Sequence, residues 1–355
     1  MDFGAWPPVR GHLASARRSA SIFLDSLPSD DGRTGTARQN WVATWAKTGD
    51  AYSGLADLNI NKRAFDEATE AWLCALTAFE VARRLVADDD ADSAGVSAKV
   101  EAGVQRFGLA LGHQVENVQI TCCDEGEFQA YYLPAGCPGL SAPAVICVSS
   151  EEEKGATLLG RLLPVVIGRG MSVLVVSHAD VHNRSHGRPA VLLSLCFDYL
   201  SARPEVDSSR IGVYGDGLSA ALVTDYAMYD RRVAAAVCDG GILNWVRTST
   251  SVGWMTGIAD GAATDVISAC RARSARQFNC PILVVAGGRG VVSVSEAVKL
   301  QADCMAACIH LDLAMPQIIR GGFGEEVENF VTSDDCVFRW LENKLTRATA
   351  PRWML

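Results

Sequence analysis

No segment of this sequence is apolar for long enough to cross a membrane. Its longest apolar stretches, around Leu162–Ile167 and Met171–Val176, are separated by Arg169 and stop short of the roughly 20 residues that a spanning helix needs. Positive charge is also in short supply. The chain carries 32 Lys and Arg against 41 Asp and Glu, a formal charge of −9, so neither nucleic acid nor an anionic membrane finds a general electrostatic attraction here. The N-terminal MDFGAWPPVRGHLASARRSA has no continuous apolar segment behind its basic residues. A cleaved secretory leader is therefore not expected, and the cytoplasm is the expected compartment. No CxxC pair, internal repeat or low-complexity tract occurs. Of the 12 cysteines, Cys147, Cys196, Cys238 and Cys280 lie inside apolar runs, where Cys behaves as a small buried hydrophobe. Packing in the reduced state is the reading, with no metal site and no disulfide framework.

What is present describes an ordinary globular chain of 355 residues, 49% hydrophobic and 21% charged. At that length one large α/β domain with a substantial extra element is expected. Residues 1–113 lack strand-like alternation and carry helical periodicity, clearest over Lys62–Ala87. They read as a helical N-terminal or cap region. From 114 to 355 the texture is that of an α/β core. Val118–Thr121 and Phe128–Leu133 flank the turn DEGE, and then short apolar strands alternate with helices at Ala144–Val148, Ser172–Ser177, Ile211–Gly215, Ala234–Cys238 and Ile282–Ala286. Residues 242–278 could add further cap helices. Such alternation predicts a mainly parallel sheet with helices on both faces, and ligands of such sheets bind beyond the carboxyl ends of the strands.

The segment RIGVYGDGLSAALV is a strand, a glycine turn and a helix start. It fits Gly-x-Gly-x-x-Ala at Gly215, Gly217 and Ala220, with Asp239 near the place of a ribose-binding acid, so an NAD(P)-binding reading stays open. The second reading is a nucleophile elbow. Here the order EAWLCALTAFEVARRL, RGMSVLVVSH, DYLSARPEVDSSRIGVYGDGLSAAL, DRRVAAAVCDGG, CPILVVAGGRG and FRWLENKL resembles the α/β-hydrolases related to the fermentation-respiration switch protein, the yellowish-green polyketide-shortening hydrolases and 2,6-dihydroxypseudooxynicotine hydrolase. The resemblance implies an α/β-hydrolase fold under N-terminal helices. It also implies where a Ser-Asp-His triad belongs, and there this chain has Gly217, Gly290 and Phe323. A glycine offers no nucleophile and a phenylalanine no base, so serine-type acyl transfer is not expected.

An elbow without its serine still points amides at a substrate. The Ser149–Ser150 loop and Leu218 are the expected oxyanion donors. His178 and Asp239, with Asp216 beside the turn, are the candidate acid–base residues, and His182 and Trp245 the candidate pocket walls. His178, His182 and His186 are spaced by four, but Asn183, Gly187 and Pro189 read as loop, where that spacing fixes no metal geometry. Glu151–Lys154 reads as a solvated helix start. The expected chemistry is that of a cyclase, lyase or isomerase acting on a small, mostly apolar carbonyl compound without a cofactor. A non-catalytic receptor and a C–C or ester hydrolase with relocated residues (Ser219 in a shifted elbow among them) stay open, as does a homodimer.

Overall fold

The computed structural model describes residues 11–27, 34–86, 92–110, 115–122, 126–136, 140–183, 189–240, 279–286, 294–306, 311–316, 318–320 and 326–346. Four helices come first: α1 (Gly11–Asp25), α2 (Thr34–Asn61), α3 (Phe65–Leu85) and α4 (Asp92–Ala110). The single helical run expected over Lys62–Ala87 is thus shorter at its start, because the chain turns at Arg63 with φ +59°. After an exposed first turn, α3 is buried on all sides from Ala68 to Ala82, polar Thr69, Glu70, Thr77 and Glu80 included. Its polar face is not a solvent face: Glu70 accepts the backbone N–H groups of His12 and Leu13 and so caps α1.

The sheet has eight strands in the order β1-β2-β4-β3-β5-β6-β7-β8. β1 (Glu116–Cys122) and β2 (Gly126–Leu133) form an antiparallel hairpin at one edge, and β2 lies antiparallel to β4 (Ser172–Val176). The remaining pairings, through β3 (Ala142–Val148), β5 (Val206–Asp216), β6 (Ala235–Asp239), β7 (Ile282–Val285) and β8 (Leu311–Ala314), are parallel. Helices follow the strands: α5 (Gly155–Val166), α6 (His178–Asn183), α7 (Pro189–Ser201), α8 (Ser219–Tyr229), α9 (Val294–Ala306) and α10 (Phe330–Thr346). β9 (Ile318–Arg320) and β10 (Glu326–Glu328) form a separate antiparallel pair.

Every residue of β3 and β4 is buried, and alternate side chains enter two different cores. Ile146, Val148, Leu174, Val176, Val213 and Cys238 pack towards α7 and α8. Val145, Cys147, Val173, Val175, Tyr214 and Val237 pack towards α5 and α10, in one continuous core with α3 and α4. The N-terminal helices therefore extend one face of the sheet as an added layer. Cys147, Cys196, Cys238, Cys280 and Cys304 are buried, as their apolar surroundings predict. Among the described residues no helix is long and apolar enough to cross a membrane.

Candidate active site at the strand 5 turn

The turn between β5 and α8 sits at the carboxyl edge of the sheet. At its apex Gly217 has φ +60°, a conformation that L side chains adopt at a cost. The turn is tight beneath it. A Cβ on Gly215 would lie 2.4 Å from the backbone oxygen of Ser219, and one on Gly217 would lie 2.7 Å from Glu151 Oε2. The backbone of the turn thus fixes glycine at Gly215, while at Gly217 the positive φ favours it, and the apex carries no side chain.

A carboxylate stands over that apex. Glu151 Oε2 accepts the Leu218 N–H at 3.0 Å, while the Ser149 N–H donates to Val176 O within the sheet edge. The expectation that the Ser149 and Leu218 amides both lie open to a substrate oxygen is therefore not met: one is used by the sheet and the other by Glu151. The loop that carries Glu151 is pinned at both ends. Ser149 Oγ donates to Glu153 O at 2.6 Å, and Glu153 is buried against Arg83, with 2.7 Å between Oε1 and Nη2. The reading of Glu151–Lys154 as a solvated start fails at Glu153 for that reason.

The candidate acid–base residues fall on opposite sides of the sheet. On the α8 side, His178 is buried at the start of α6, where its N–H donates to Ser149 Oγ and its Nδ1 lies 2.7 Å from Ser219 Oγ. Ser219 Oγ also donates to Ser149 O at 2.6 Å. A hydroxyl has one proton. Since the carbonyl can only accept, His178 Nδ1 is the donor to Ser219, the reverse of what a base activating a nucleophile needs. Ser219 is fully buried as the first residue of α8. The pair resembles a serine–histidine dyad in distance alone, and it ties β3, α6 and α8 together.

On the α5 side, Asp216 and Asp239 face each other across β5 and β6. Arg161 Nη1 donates to Asp216 at 2.8 Å, and Tyr214 OH donates to Asp239 at 2.8 Å. Arg161 Nη2 also donates to the Tyr214 hydroxyl oxygen, and Arg161 Nε lies 3.6 Å from Asp334 Oδ2. Asp216 is thus buried in an ion pair and is not a solvated turn aspartate. Burial, with the charges of Asp216 and Glu328, holds the Asp239 carboxyl well above the ordinary carboxylate range. Burial likewise lifts Asp334 to about 7, against the pull of Arg161. Further along, burial works against ionisation of Glu80, yet Arg83 and Arg84 hold it down at about 2. Arg83, Arg84 and Arg161 pair with Glu80, Glu153, Asp216 and Asp334, and Asp239 lies beside them against Tyr214.

The stretch after β4 is a correction of another kind. His178–Asn183 is helical, not loop, so His178 and His182 lie four apart on one short helix, and no metal-binding cluster occurs among the described residues. Trp245, Gly290, Phe323 and residues 242–278 lie outside the described residues, as does His186. Arg161, Tyr214 and Asp334 escaped the sequence reading, and Glu151 was read only as part of a solvated helix start. The one signal was Arg161 itself, a lone charge within the apolar LLGRLLPVV. A cleft of about 670 Å³ between α1, the end of α5 and the start of α10 is lined by Leu13, Arg17, Ile167, Arg169 and Val331 among others and shares no residue with the elbow.

This architecture has known counterparts. The structure of 2,6-dihydroxy-pseudo-oxynicotine hydrolase superposes with a TM-score of 0.59 over 95% of this chain and 96% of that one, at 16% identity. The chain has the α/β-hydrolase fold. At that identity the likeness is one of fold. AbyA5 aligns over 85% of this chain and 83% of its own at 16% identity and a TM-score of 0.45, and the Pyrococcus horikoshii acylaminoacyl peptidase over 66% and 42% at 13% and 0.47. No protein-family model matches the chain, and no curated protein matches it in sequence. The turn after β5 lies at the place where an α/β-hydrolase fold carries its nucleophile elbow, and Gly217, with φ +60°, is the apex of this turn.

Proposed function

We propose that this chain is a non-hydrolytic enzyme on an α/β-hydrolase fold, performing cyclase-, lyase- or isomerase-type acid–base chemistry on a small, mostly apolar carbonyl compound of secondary, polyketide-like metabolism. The observation that carries the reading is the elbow apex: a glycine with φ +60°, and a carboxylate oxygen in the space a side chain there would need. Acyl transfer needs a hydroxyl at that point and an open pair of donors beside it. Acid–base chemistry needs neither. Asp239, whose protonated form is favoured by burial and by the charges of Asp216 and Glu328, is a carboxyl group suited to donating a proton. Asp216 and Arg161 fix its surroundings, and the Ser150 N–H, which makes no hydrogen bond to a described residue, is the remaining donor for a substrate oxygen. Residues 1–113 form the helical unit and 114–355 the catalytic core of a cofactor-free cytoplasmic protein.

The test is chemical. A fluorophosphonate probe should leave the full chain unlabelled, and p-nitrophenyl butyrate should not be hydrolysed faster than in buffer. Stoichiometric labelling mapped to Ser219 would overturn the reading. The occupied Leu218 N–H also favours a second reading, a small-molecule receptor whose donor is satisfied internally. That reading requires a bound ligand to be recovered unchanged after long incubation.

A further inference from the structure

Glu151 has no assigned role in the reading above, yet it is the group closest to the place where chemistry on this fold occurs. Its Oε2 is fixed by the Leu218 N–H at 3.0 Å and sits 2.7 Å from where a Cβ on Gly217 would be. The residue is exposed, and its other oxygen makes no hydrogen bond to a described residue. Its backbone is held by buried anchors, Ser149 on one side and Glu153 with Arg83 on the other. A carboxylate with one oxygen oriented by a backbone dipole and one open, on a pinned loop, has the arrangement of a positioned general base.

We propose that Glu151 is the general base of this site and that the loss of the apex side chain at Gly217 is what gives its carboxylate room. This rests on the non-hydrolytic reading and names its substrate class: a carbonyl compound with an acidic C–H on the carbon next to the carbonyl. The open oxygen of Glu151 takes the proton, the C–H electron pair becomes the enolate, and the charge moves from the carboxylate to the enolate oxygen, where the Ser150 N–H can meet it. Where a β,γ C=C bond extends the enolate to a dienolate, Glu151 returns the proton to the γ carbon, the electron pair shifts back through the chain, the carbonyl re-forms and the double bond moves into conjugation, an isomerisation with no net change in electrons and no co-reactant.

The test uses 5-nitrobenzisoxazole, whose ring opens when a base removes its single acidic C–H. The C–H pair forms the nitrile, the N–O bond breaks, and the phenolate leaves, so neither an oxyanion donor nor a nucleophile is required. The full chain should show saturable ring opening. Glu151→Gln, whose amide oxygen can still accept the Leu218 N–H, should lose roughly 10²-fold or more in kcat/KM with an unchanged unfolding transition, and added acetate should restore part of the rate of Glu151→Ala. A wild-type rate no greater than that of free acetate at the same concentration, or a Glu151→Gln rate equal to wild type, overturns the proposal. Ester hydrolysis through a labelled serine, with ring opening intact, instead overturns the non-hydrolytic reading and leaves Glu151 as a base.

Discussion

Replacing Arg161 with Met should destabilise the protein strongly and in a pH-dependent manner. Arg161 is 3% exposed and stands 2.8 Å from Asp216 and 3.6 Å from Asp334. At an effective dielectric of about 20, each such pair attracts by about 4–6 kcal/mol before desolvation is counted. Methionine fills much of the volume but leaves two carboxylates without their cation, and breaking a buried pair from one side costs about 3–5 kcal/mol. Asp334 can escape by taking up a proton, which gives the effect its pH dependence. Asp334 already has a folded-state pKa of about 7, above its unfolded value. The folded protein therefore holds a proton that the unfolded chain releases, and stability falls as pH rises from the ordinary carboxylate range through 7. Without Arg161 that pKa rises further, so the loss continues above pH 7 at about 1.4 kcal/mol per pH unit for each carboxylate affected. Urea denaturation at pH 6, 7 and 8 should show the gap between wild type and Arg161→Met widening with pH, and Asp334→Asn should narrow it. If Arg161→Met proves insoluble, Asp334→Asn alone should flatten the wild-type decline between pH 6 and 8. A gap below about 1 kcal/mol at pH 8, or one that does not change with pH, would mean that Arg161 does not hold these carboxylates.

Two further substitutions probe the turn. Gly217→Ala meets both the positive φ and the Glu151 carboxylate at 2.7 Å; it should cost about 1–3 kcal/mol by chemical denaturation, and Gly217→Ala combined with Glu151→Ala should recover the part due to collision but not the part due to φ. Ser219→Ala removes the hydroxyl shared by His178 and the Ser149 carbonyl, leaving buried polar groups unpaired. A loss of about 1–3 kcal/mol is expected, and full retention of stability would show that the hydroxyl is not the tie described here.

The layers of this fold were readable because they depend on patterns the chain states locally. Ala144–Val148 and Ser172–Ser177 are apolar runs bounded by turn residues, and only a strand covered on both faces needs such a run. Gly215 and Gly217 identify the sharp turn because the backbone of Ser219 leaves no room for a Cβ at Gly215 and the chain passes through φ +60° at Gly217. The site chemistry was less accessible, for a physical reason. His178 follows β4 by two residues and Asp239 ends β6, and position along the sequence brings both to the carboxyl edge. It is the alternation of side chains across the sheet that sends them to different faces, one to Ser219 and the other to Tyr214. The partner that holds Asp216 is Arg161, on a helix 55 residues away in sequence, and no local pattern links them. Glu151 was masked by its company: three consecutive glutamates read as one solvated run, yet one is exposed over the elbow while Glu153 is buried in an ion pair. A tight turn alternates the surroundings of neighbouring residues as a strand does, so an acidic run at the carboxyl end of a buried strand has to be read residue by residue. At this elbow, that reading places a fixed carboxylate where the fold ordinarily offers a hydroxyl.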